Sequence, residues 1–146
     1  MAMNTNRVIA GGLASGVVLN LVDFVSNGFI LKDRMTTEMN AVAPGLSDKM
    51  MTTPNMVTFI VIDFILGIML VWLYAAIRPR FGAGPKTAVY AALFYWVLGA
   101  AFYWAWVPLG LMSMGTYQLG GLIQLVNVLA AAWVGAMIYK EDATPM

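Results

Sequence analysis

Four long apolar runs divide the chain, and each stops at a short polar or turn-forming cluster. The first covers about 8–31 and ends at Lys32-Asp33-Arg34. The second covers about 55–77, between Pro54 and Arg78-Pro79-Arg80. The third covers about 86–109, after Gly84-Pro85, and the fourth about 116–139, before Lys140-Glu141-Asp142. Each holds roughly 23–25 residues, near 35 Å as a helix, enough to cross a bilayer with some tilt. Lipid cannot satisfy open backbone groups, so these runs are expected as helices. Two of the three connections are short, which favours antiparallel neighbours. The expected fold class is an all-α, four-span transmembrane antiparallel helix bundle, with residues 1–146 forming a single integral membrane domain. The connection over residues 32–54 is longer. Met35, Met39 and Val42 fall there at helical spacing, and Ser47 is placed to cap a short turn through Met51. Interfacial helices lying over the mouth of the bundle are expected in this loop.

The polar positions inside the spans are ordered in depth. Asp23 is nine residues before Lys32, Asp63 nine after Pro54, and Gln124 nine after Gly115. At about 1.5 Å per residue, all three lie about 13 Å in from the loop side. Asn20 and Asn127 lie about one turn deeper. The first span carries Gly12, Gly16, Asn20, Asp23 and Asn27 on one helix face; the fourth carries Gly120, Gln124, Asn127, Ala131 and Gly135. In antiparallel helices these series run past each other in matching order. Gly12 is expected to meet Gly135, Gly16 to meet Ala131, Asn20 to meet Asn127, Asp23 to meet Gln124, and Asn27 to meet Gly120. Small residues allow close approach, and polar ones bond between helices. Asp63 shares a second-span face with Gly67, Leu70 and Tyr74, and Tyr103 falls near the same layer. A lipid-facing acid is costly, so Asp63 is expected to point inward.

Composition turns these apolar runs into a membrane assignment. Hydrophobic residues make up 61% and charged residues 10%, against about 45–50% and about 25% in a soluble domain. The N-terminal apolar run continues past Gly16 to Leu31, so a span is expected rather than a signal peptide. Histidine and cysteine are absent. That excludes thiolate metal sites, histidine ligation and Ser-His-Asp catalysis, and leaves only carboxylates for acid–base work. Net charge is +1 and gives no support to a nucleic-acid partner. Arg7, Arg78, Arg80, Lys86 and Lys140 fall on the side of the termini, and Lys32, Arg34 and Lys49 on the other. This bias places both termini in the cytoplasm.

The remaining chemistry is sparse. Met112 and Met114 present two thioethers, donors suited to copper(I), although adaptable apolar filler is the ordinary role of such methionines. Tyr95, Trp96 and Phe102 lie too deep to be interfacial anchors and are expected in packing. The hairpin Arg78–Lys86 is glycine-rich but follows no strand, so it is expected to anchor on headgroups rather than to cradle a nucleotide.

The stretch Trp72–Ala88, "WLYAAIRPRFGAGPKTA", with a glycine-rich first span carrying Asn and Asp, resembles a set of small bacterial four-helix membrane proteins of unassigned function. The resemblance implies the topology and a bacterial inner membrane, and brings no activity or cofactor. The functional expectation is a non-enzymatic structural or accessory component in the lipid bilayer, with a hydrogen-bonded polar layer, forming a homo-oligomer or part of a larger membrane complex. The alternative is a small proton- or cation-linked carrier or channel for a small polar solute, using Asp23 and Asp63. No cofactor is expected.

Overall fold

Lacking any strand-period alternation, the four apolar runs fold as helices in the computed structural model, which describes residues 3–141. Helix α1 covers Thr5–Val25, capped by the Asn4 side chain accepting from the Arg7 amide. It continues through a π-helical turn, Ser26–Ile30. Helices α2 (Lys32–Val42) and α3 (Leu46–Met50) form the loop. Helix α4 covers Thr53–Phe81, α5 Pro85–Trp104 and α6 Met114–Ile138. Each long helix, with the π turn included in the first, is long and apolar enough to cross a membrane, as a multi-pass membrane protein requires.

Three local details depart from the sequence expectation. The third span stops at Trp104, short of residue 109, and a run of turns leads through Pro108. Pro108 has no amide to donate to the Trp104 carbonyl, which favours ending the helix there. Ser47 does not cap α3. Gly45 takes that position with φ 76°, and the Ser47 amide donates to Asn40 Oδ1 at 3.2 Å. A glycine reaches this left-handed conformation without the steric cost of a Cβ. Third, α4 runs on past Arg78 and contains Pro79 before Gly82 ends it.

Helix α1 packs against both α4 and α6, and α5 against α6. The tightest packing lies toward the termini, where the facing residues are small. On α1, Gly12 faces the Ile68 backbone and Gly16 faces Phe64, while Gly67 of α4 fits against Gly12 and Gly16. On the other side of α1, Gly11 faces Gly135, and Ser15 donates to the Ala131 carbonyl at 2.7 Å. Ala88, Ala91 and Ala92 bring α5 into the same core. Lipid is as apolar as the helices, so this close van der Waals fit, rather than escape from water, holds the bundle together.

Toward the loop the packing loosens. Buried positions begin at Gly67 on α4 and end at Ala92 on α5. Beyond them, Phe59, Ile60, Val61 and Ile62 of α4 and Val97, Leu98, Phe102 and Tyr103 of α5 are all exposed. Side-chain bonds tie these two half-helices to different neighbours. Asn20 of α1 donates to the Ile60 carbonyl of α4 at 3.3 Å. On the α5 side, Trp96 Nε1 donates to the Gly121 carbonyl at 2.8 Å, and the Tyr117 hydroxyl of α6 to the Ala100 carbonyl at 3.1 Å.

Candidate functional site

The polar layer forms around Asp23. Gln124 donates to its Oδ1 at 2.5 Å, and Asn127 donates to the same oxygen at 3.1 Å. Asn127 also reaches the Leu19 carbonyl and Gln124 Oε1, each at 3.4 Å. Its side chain is fully buried; Nδ2 makes all of these bonds and Oδ1 makes none among the described residues, and each buried polar group left unmet costs about 1–3 kcal/mol. Asp23 meets Gln124 as the depth count predicts. The π turn begins three residues later, and Ser26 Oγ donates back to the Asp23 carbonyl at 3.3 Å.

Four of the five expected contacts are corrected. Gly12 and Gly16 do not meet Gly135 and Ala131; they face α4, and Gly11 and Ser15 take the α6 side. Asn20 does not meet Asn127. Its amide donates to the Gly16 and Ile60 carbonyls, at 2.9 and 3.3 Å. The reason is geometric. Helix α1 sits between two neighbours, so its apparent single face is divided, and Gly11, Ser15, Leu19 and Asp23, at steps of four, form the half that faces α6. Asn27 does not meet Gly120. Leu31 stands over that glycine instead, because the π turn adds a residue to the loop-side turn of α1 and shifts the register. The signal for the Ser15 contact was present in "GGLASG", but steps of four along two adjacent stripes look alike on paper.

Asp63 differs from Asp23. It is half-buried, near enough to Asp23 for the two charges to interact, and no hydrogen bond or ion pair reaches it among the described residues. Gly67, Leu70 and Tyr74, on its own face, are buried as expected. Tyr95 and Tyr103 of α5 lie within electrostatic reach of both acids. Tyr103 makes no hydrogen bond into the layer; its ring contacts Phe102 and Trp106, and it is 53% exposed. Asp63 therefore stands beside the loosened loop-side halves of α4 and α5. Two nearby carboxylates without a basic partner repel when both are ionised, which a shared proton, a cation or an added donor relieves.

A second polar cluster, not expected from sequence, ties the loop to the bundle. Buried Thr116 Oγ1 donates to Glu38 Oε1 of α2 at 2.7 Å. Ser113 caps α6 by accepting from the Thr116 amide at 3.2 Å. Desolvation opposes the Glu38 charge, but bonds from Ser113 and Thr116 and the positive charge of Arg34 outweigh it and hold the carboxyl below its ordinary value. Seventy-eight residues separate the partners, a distance no spacing rule spans. Because the folded value is depressed, this clasp contributes in full above the ordinary glutamate value, about 4.3. It is lost as pH falls through the lower folded value. Amide exchange in α2 should accelerate at that acid end, and Glu38→Gln should show the faster exchange already at neutral pH. Identical exchange in the variant would contradict the clasp. Met112 is half-buried in the turn before α6, and Met114, the first residue of α6, is exposed.

No family model, curated protein or solved structure matches the chain. The functional reading therefore rests on this geometry.

Proposed function

We propose that the protein is a non-enzymatic accessory component of a bacterial inner membrane, with both termini cytoplasmic, which docks a further transmembrane helix at Asp63. The contrast between the two acids carries this reading. Asp23 is satisfied within the bundle by Gln124 and Asn127. Asp63 is at similar depth, lacks such donors among the described residues, and borders the exposed apolar and aromatic halves of α4 and α5. A polar group in lipid gains from any donor a neighbouring helix brings, and the exposed loop-side surface of α4 and α5 leaves room for a helix carrying one. The neighbour is a second copy of the chain or another membrane protein.

Native mass spectrometry of the gently extracted protein tests this. The wild type should appear in an assembly, and Asp63→Leu should appear alone. An assembly unchanged by Asp63→Leu would sink the proposal, as would a monomeric wild type. The same unbonded acid supports a second reading, a proton- or cation-linked carrier. Reconstituted vesicles would then show a proton or cation flux that Asp63→Asn abolishes, and a monomeric wild type with such flux would favour it.

A further inference from the structure

At the opposite end from the polar layer, a cavity of about 240 Å³ opens beneath the α4–α5 hairpin. Tyr74 and Arg78 of α4, Gly84 and Pro85 of the hairpin, and Trp133 and Met137 of α6 line it. Neither Asp23 nor Asp63 contributes.

Arg78 gives the cavity its charge. Its guanidinium stands 5.5 Å from the centre of the Tyr139 ring, and Tyr139 meets Tyr74 edge-to-face at 5.9 Å. These rings hold the arginine between α4 and the end of α6. Arg78 Nη1 is buried and makes no hydrogen bond among the described residues; Glu141 Oε1 stands 3.5 Å away. The Tyr74 hydroxyl accepts from the Gly84 amide at 3.2 Å, which fixes the hairpin as one wall. The α6 wall is different. Trp133 is 60% and Met137 63% exposed, on the outer surface of α6.

A held guanidinium at one end and an open apolar wall at the other select an amphiphile with an anionic end. We propose that this cavity binds the phosphate of an anionic phospholipid, with Arg78 as its counter-ion and the acyl chains lying along Trp133 and Met137. Guanidinium matches phosphate geometry with paired donors. Pockets that enclose a drug-sized ligand run from roughly 300 to 1,000 Å³; this one suits a headgroup, leaving the chains in the bilayer. Lys86 and Lys140 share this end of the bundle and draw anionic headgroups toward it. Glu141 lies past the end of α6, so its carboxylate can swing aside when phosphate takes Nη1, and it competes for the arginine until then.

The test is lipid retention by the full chain in neutral detergent, read by native mass spectrometry after adding phosphatidylglycerol or phosphatidylcholine. The wild type should keep one phosphatidylglycerol per chain and no phosphatidylcholine. Arg78→Gln should cut retention at least tenfold, while Arg80→Gln, which does not line the cavity, should match the wild type. Trp133→Ala changes an exposed residue, so it should fold normally and still weaken retention severalfold. Glu141→Gln should retain lipid at lower added concentration. Equal retention of both lipids, unchanged retention in Arg78→Gln and Trp133→Ala, or parallel loss in Arg80→Gln would each overturn the proposal. So would displacement of the lipid by millimolar inorganic phosphate alone, which would assign the cavity to free phosphate.

Discussion

Gly67→Val should force α1 and α4 apart and destabilise the bundle by about 1–3 kcal/mol or more. A Cβ at this position would fall 2.5 Å from both the Gly12 carbonyl oxygen and the Gly16 amide nitrogen. Both obstacles are backbone, so no rotamer change relieves them; a whole helix must move. Movement of α1 would also pull Asp23 from Gln124 and Asn127, since those bonds cross to α6. Gly99→Ala is the matched control. A Cβ there meets nothing within 4 Å, and alanine favours the helix by about 0.5–1 kcal/mol. Thermal unfolding in mild detergent should show the first variant melting well below the wild type and the second at or above it. Equal melting of the Gly67→Val protein would mean that the α1–α4 contact is not the packing centre described here.

The second expected result separates the two acids. Asp23→Leu removes the shared acceptor of Gln124 and buried Asn127, and should cost about 1–3 kcal/mol. Asp23→Asn keeps an acceptor oxygen and should lose less. Asp63→Leu breaks no hydrogen bond of the described residues and removes a carboxylate near Asp23. Its stability as an isolated chain should be unchanged or higher, and only its assembly should suffer. Unfolding of the three variants, compared with the wild type under one detergent condition, checks this ordering. A loss in Asp63→Leu as large as in Asp23→Leu would show that Asp63 is internal glue.

Much of this arrangement was legible because membrane helices obey few rules. Apolar length located the four helices, and counting from their ends brought Asp23 to Gln124, since depth is conserved when straight helices run antiparallel. Azimuth was harder to read. Gly11 and Gly12 are neighbours in sequence and face different helices, and nothing in "AGGLASG" says which glycine serves which. The π turn was hidden as well, because Ser26–Ile30 differs little in composition from an α-helical stretch, yet it replaces Asn27 with Leu31 opposite Gly120. The Glu38–Thr116 clasp and the Arg78 cavity each join distant segments through side-chain placement, which only the folded chain provides. The missing partner of Asp63 is likewise a property of the assembled helices: in sequence it looks as well placed for bonding as Asp23.

The central claim is that the α4 face bearing Asp63 adjoins another helix in the membrane. The chain lacks cysteine, so single cysteines report contacts without background. Phe59 is exposed on α4, one turn from Asp63 on the same face, and Val126 is exposed on α6 at similar depth. Oxidative cross-linking in native membranes should give a higher-mass species from Phe59→Cys, whose mass tells a second copy from a different partner. Adding Asp63→Leu should abolish it, and Val126→Cys should give none. Equal cross-linking from both cysteines, or a Phe59→Cys product that survives Asp63→Leu, would contradict the account.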